Sequence, residues 1–89
     1  MKLFLLSQSV IDGYDVYDSC VVVAEDAIDA STIHPRSTWS GKLLRINPDE
    51  TNFWPDWPNQ SGDISVKYLG EAAPSFTSPS VICASFNAG

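Results

Sequence analysis

Basic side chains are scarce in this sequence, which has five Lys and Arg against eleven Asp and Glu and a formal net charge of −6. Because binding to a phosphate backbone requires clustered Lys and Arg, we do not expect nucleic acid as a partner. Histidine occurs once and cysteine twice, without a CxxC pair, which argues against a structural zinc site. The sequence indicates no metal and no other cofactor.

Long apolar runs are also missing. The first one, at residues 3–6, is shorter than the apolar region of about seven or more residues in a signal peptide. It is also far shorter than the roughly eighteen residues that a membrane-spanning helix needs. We therefore expect a buried strand at this position, no membrane partner, and a cytoplasmic protein.

Cys20 and Cys83 both lie in apolar, strand-like runs. Free cysteine behaves as a small hydrophobic residue, so we expect both thiols to be buried and reduced. A disulfide between them is the alternative if their strands are neighbours.

The hydrophobic pattern predicts one domain over residues 1–89, of the α+β class. Strands are expected at 2–9, 17–24, 64–69 and 80–86, and a short further strand is compatible with 42–46. Asp26 and Asp29 can cap a helix of about eight residues that Pro35 ends. The predicted order is ββα, an irregular crossover, then ββ. It gives a small, antiparallel-rich sheet of about four strands with one short helix on one face.

The crossover at 36–63 is rich in Trp and Pro, and it contains all three tryptophans of the chain. Since Trp and Arg dominate binding hot spots, this segment predicts a binding surface. Its members are the bases and aromatic residues of the segment, namely Arg36, Trp39, Lys42, Arg45, Phe53, Trp54 and Trp57. The alternative is that these aromatic rings complete a core that one short helix leaves open.

A second candidate is a polar set expected at strand and helix ends, consisting of Asp18, Ser19, His34, Ser85 and Asn87. These side chains either cap turns or form a small pocket for a polar ligand. GxSxG and HExxH motifs are absent, so the sequence argues against an enzyme. A small hydrolase using His34 is a weaker alternative.

Several short strings of the chain form a recognisable set: YDS at 17–19, VV at 21–22, IHP at 33–35, YLGEA at 68–72 and VICASFNAG at 81–89. They resemble those of a group of short proteins of bacteriophage and bacterial genomes. The resemblance implies a phage or bacterial setting and a cytoplasmic location, but no activity. The segment at 36–63 lies outside these strings.

Together these features favour a small non-enzymatic binding protein, encoded by a phage, that binds or inhibits a host protein through the Trp/Arg-rich segment. In this hypothesis Trp54 and Trp57 are anchors, and Arg36, Lys42 and Arg45 are rim charges. The alternative is a protein that binds or sequesters a nucleotide or an anionic metabolite. The basic side chains would then bind the ligand's phosphate, and a Trp would stack on the nucleobase. The sequence leaves the oligomeric state open.

Overall fold

The computed structural model describes residues 1–11, 15–47 and 56–87, and only the backbone at Trp39. The strands within these ranges are β1 (Lys2–Ser7), β2 (Val16–Ala24), β3 (Ser65–Glu71) and β4 (Ser80–Asn87). The helices are α1 (Ala27–Ser31) and α2 (Ser37–Ser40), and a 3₁₀ turn at Ser61–Asp63 leads into β3. No described helix is long and apolar enough to cross a membrane.

The four strands form one sheet in the order β3-β1-β2-β4, and every neighbouring pair is antiparallel. A short helix packs on this sheet, which confirms the predicted α+β class. The central strands β1 and β2 contain the buried strand positions, as expected for strands with neighbours on both sides. The edge strands β3 and β4 are more exposed.

Helix α1 begins where the acidic pattern predicts. The Asp29 N–H donates to Asp26 Oδ1 at 2.8 Å, and Asp29 Oδ2 accepts from the Glu25 N–H at 3.2 Å. The predicted length of about eight residues is wrong, because α1 ends at Ser31. The Thr32 hydroxyl bonds to Asp29 O, and Ile33 then pairs with Arg45 in an isolated β-bridge. The chain therefore becomes extended before it reaches Pro35.

The core lies between one face of the sheet and the chain that crosses it. It consists of buried apolar side chains from the strands, α1 and the crossover, chiefly Phe4, Leu6, Tyr17, Cys20, Val22, Ala30, Ile33, Trp57 and Ile64. Leu43 and Ile46 pack against this cluster. Residues 42–46 contain no strand, only the bridge at Arg45. The hydrophobicity of that run is thus explained by packing.

The opposite face of the sheet, called the open face below, is more polar. The strand registers align Ser65, Ser7, Ser19 and Ser85 in a row across all four strands. The next row on this face contains Lys67 and Cys83, which are both exposed. Cys20 lies in the core on the other face, and both cysteines are free. The expectation that Cys83 is buried is therefore wrong.

Candidate functional site

The Trp/Arg-rich surface expected from the sequence is only partly compatible with the structure. Trp57 is 1% exposed and belongs to the core, so the hypothesis that it is an exposed anchor is wrong. The ring is buried because a single five-residue helix leaves much of the sheet face uncovered, and the crossover fills that space. Phe53, Trp54 and the side chain of Trp39 lie outside the described residues.

Two of the three central bases make ion pairs within the chain. Arg36 Nε donates to Asp56 Oδ2 at 2.7 Å. Arg45 Nη1 lies 2.9 Å from Asp29 Oδ1 and donates to Thr32 Oγ1 at 2.6 Å. Each guanidinium thus connects distant parts of the chain. Lys42 is exposed and has no ion-pair partner in the described parts of the chain.

His34 and Asp56 form a buried pair beside Arg36, with exposed fractions of 5% and 2%. His34 Nδ1 accepts from the Arg36 backbone N–H at 3.0 Å, so the neutral ring carries its proton on Nε2. Nε2 faces Asp56 Oδ1 at 3.8 Å, which is too long for a hydrogen bond. Burial lowers the pKa of His34 to about 4, against the opposing attraction of Asp56. The ring is therefore neutral at pH 7.

The five members of the predicted polar set do not form one pocket. Ser19 and Ser85 are cross-strand partners on the open face, and Asp18 is at an irregularity between β2 and β4. Asn87 pairs with Val16 at the end of the strands. His34 is buried beside Asp56, away from the two serines. The alternative that these residues serve turns and strand ends fits this placement better.

A groove runs along β4 on the core side of the sheet, and we call it the β4 groove. Helix α2 packs beside β4 and forms its other wall. The groove has three consecutive depressions of about 350, 410 and 220 Å³. The first lies between α2 and the start of β4 and is lined by Ser37, Thr38, Gly41, Lys42, Leu43, Pro79, Ser80 and Val81. The other two lie at the far end around Tyr17 and Phe86.

The far end of the groove is aromatic. The rings of Tyr17 and Phe86 are 4.7 Å apart between centroids, at an angle of 59°. Phe86 remains 39% exposed, whereas Tyr17 is buried at 2%. Arg36 and Asp56 line the last depression together with these two rings. Their charges offset each other, so among the described lining residues Lys42, at the opposite end, is the base without a paired acid.

The strand β4 forms an uncharged and accessible edge of the sheet. Its sequence, SVICASFN, contains no acid and no base, and Ile82 is 42% exposed. Because β4 has one sheet neighbour, alternate N–H and C=O groups point away from β2. The opposite edge strand, β3, carries Lys67 and Glu71. Charged residues on an edge discourage pairing with another strand. The edge at β4 is therefore more favourable for strand pairing than the edge at β3.

Sequence patterns alone did not identify the β4 groove. Tyr17 and Phe86 come from distant parts of the chain, and they become neighbours because β4 pairs with β2. The available signal was the uncharged run at residues 80–87. An edge strand of that composition is unusual in a protein that is otherwise strongly acidic.

Thiol labelling can test the placement of the two cysteines. Burial raises the pKa of Cys20 to about 12, and Cys20 is 2% exposed, whereas Cys83 is exposed. Since the thiolate is the reactive species, we expect Cys20 to react at least about a hundredfold more slowly. Native protein at pH 8 should take up one equivalent of a maleimide, and denatured protein two. Native Cys83→Ser protein should take up almost none. Rapid uptake of two equivalents by native protein would contradict this arrangement.

No protein-family model, no curated protein and no solved structure matches this chain. The assignment of function therefore depends on the geometry of the β4 groove and on the surrounding charges.

Proposed function

We propose that this protein is a small non-enzymatic binding protein that captures an extended segment of another protein by adding it as a strand to β4. The observation that carries the proposal is the groove between α2 and β4, which follows an uncharged, exposed edge strand. The resemblance to short phage and bacterial proteins suggests a bacterial host protein as the partner and the cytoplasm as the location. The binding surface proposed here is therefore β4 and not the Trp/Arg-rich segment.

Strand addition uses two kinds of contact that β4 can provide. Outward N–H and C=O groups of the edge bind the backbone of the incoming segment, which gives affinity without a sequence requirement. Side chains of the added strand alternate between the two faces of the sheet. One set would therefore enter the β4 groove, and the other set would lie beside Cys83 and Ser85 on the open face. Selectivity would come from the groove.

Charge substitution on the two edges tests this proposal. We expect Ile82→Lys to weaken binding of a captured host protein by at least about tenfold, because a charged edge residue opposes strand pairing. The matched control is Leu69→Lys on β3, where Leu69 is 47% exposed and Ile82 is 42% exposed. Host lysate would be passed over immobilised wild type and both variants, and bound proteins quantified by mass spectrometry. Equal retention by Ile82→Lys and wild type, or equal loss in both variants, would contradict strand addition at β4.

A small anionic ligand is a second candidate, favoured by the first depression of the groove. There Lys42 and Ser80 line a volume of about 350 Å³, whereas the hydroxyls of Ser37 and Thr38 donate to backbone oxygens. An ammonium group and a hydroxyl group together can hold a phosphate or carboxylate group. Isothermal titration calorimetry with a nucleotide panel would measure this binding. A micromolar response that Ile82→Lys leaves unchanged would favour this candidate over strand addition.

The hydrolase alternative receives no support from the position of His34. Its side chain is 6% exposed, so the ring does not reach the surface where a substrate would bind. Its Nδ1 atom is already occupied by the Arg36 N–H.

A further inference from the structure

We infer that the β4 groove selects the carboxyl-terminal end of its partner, which runs antiparallel to β4 and places its terminal carboxylate beside Lys42. This inference depends on the proposed strand addition and adds a direction, an end point and a charge requirement to it. Three independent features of the groove support it: the sheet direction, the end of the ladder at Pro79, and the unequal charge of its two ends.

The direction follows from the sheet. Every neighbouring pair of strands in it is antiparallel, and antiparallel pairing is slightly more stable per residue than parallel pairing. A segment added antiparallel to β4 has its amino-terminal part beside Phe86 and its carboxyl-terminal part beside Ser80. The depression that contains Lys42 is at the Ser80 end. The direction therefore brings the later residues of the partner to the lysine.

The end point follows from the start of β4. The strand begins at Ser80, directly after Pro79. Proline has no N–H to donate, so a regular ladder does not extend past this position. On the other wall, α2 is followed by Gly41 at a φ of 75°, and Lys42 comes next. A segment whose pairing stops at Ser80 thus ends next to Lys42.

The charge requirement follows from the difference between the two ends. At the Phe86 end the guanidinium of Arg36 is bound to the carboxylate of Asp56. At the Ser80 end Lys42 is exposed, and none of the described residues that line the depression around it is an acid. An ammonium group in such a place favours a carboxylate ligand. The protein as a whole has a net charge of −6, so this end is a local exception to its acidity.

The aromatic end of the groove adds a second requirement. With the partner's last residue opposite Ser80, Ala84 and Phe86 lie four and six positions further along β4. One of the positions in between is Ile82, which is unpaired at the irregularity between β2 and β4. The exposed ring of Phe86 offers apolar contact at the far end. We therefore expect an apolar side chain about three to six residues before the carboxyl terminus of the partner.

Peptide libraries with two kinds of end group test the inference. The probes are random ten-residue peptides on beads, attached through their amino termini, in one set with free carboxyl termini and in the other with amides. The proteins are wild type, Lys42→Gln and the matched control Lys67→Gln, each detected through an epitope tag at the amino terminus, which precedes β1 and not the edge strand β4. We expect wild type and Lys67→Gln to bind the free acids at least about tenfold more often than the amides. Lys42→Gln should lose this preference.

The other possible outcomes separate a failure of the carboxylate inference from a failure of strand addition. Equal binding of acids and amides that Ile82→Lys abolishes would overturn the carboxylate inference and leave strand addition intact. A different result is enrichment of amidated peptides with Asp or Glu near their ends, in a way that depends on Lys42. Lys42 would then bind an acidic side chain and not the terminal carboxylate, which would overturn the inference. A preference for acids that survives in Lys42→Gln would also overturn it. If no peptide binds and sedimentation shows a dimer that Ile82→Lys dissociates, β4 pairs with a second copy, and both proposals fall.

Discussion

Replacing Trp57 with Ala is expected to leave the protein only marginally folded at room temperature. The side chain is 1% exposed and is among the largest fully buried groups of the described residues. Removal of a buried Trp costs about 3–5 kcal/mol, from lost burial and from the cavity left behind. Domains of this kind have a total unfolding free energy of about 5–15 kcal/mol. The substitution therefore removes a large fraction of the stability.

The matched control for this prediction is Trp57→Phe. Within the described parts of the chain, the indole Nε1 has no hydrogen-bond partner, so Phe loses volume but no hydrogen bond. We expect it to cost about 1–2 kcal/mol, close to the cost of a smaller apolar replacement. Urea unfolding followed by circular dichroism measures both variants. A loss below about 1 kcal/mol for the Ala variant would show that Trp57 does not fill the core.

The features that sequence reasoning predicted correctly depend on near neighbours in the chain. Strand β1 is the apolar run that precedes the first polar connection, and α1 starts where Asp26 can accept from the Asp29 N–H. Such signals act over a few residues, so they survive the loss of all tertiary information. The α+β class follows from the order of these elements.

The features that sequence reasoning missed depend on contacts between distant residues. Arg36 is bound to Asp56, twenty positions away, so a base expected at a binding rim holds the crossover in place instead. Helix α1 is shorter than predicted because Ile33 pairs with Arg45. The β4 groove exists because β4 joins the sheet beside β2 and not beside β3. Local periodicity contains no information on that choice.

Acidification between pH 6.5 and pH 4 is expected to destabilise the protein through His34. The unfolded chain takes up a proton at the ordinary histidine pKa of about 6.5, whereas burial lowers the pKa of the folded side chain to about 4. Above pH 6.5 both states are neutral, and the full stability is present. As the pH falls toward 4, only the unfolded state binds the proton. The free energy of unfolding should then decrease by about 1.4 kcal/mol per pH unit, to a total of about 3 kcal/mol.

The local geometry explains why His34 resists protonation in spite of its acidic neighbour. A proton on Nδ1 would face the Arg36 N–H, which already donates to that atom from 3.0 Å. Arg36 also lowers the pKa by its charge, while Asp56 raises it without a hydrogen bond to Nε2. Because the chain has one histidine, the pKa can be read from a single imidazole signal in an NMR titration. The matched variant is His34→Asn, whose side-chain oxygen can still accept from Arg36. Its unfolding free energy should fall less steeply with acid than that of the wild type. Identical slopes, or an imidazole pKa near 6.5, would contradict a buried neutral His34.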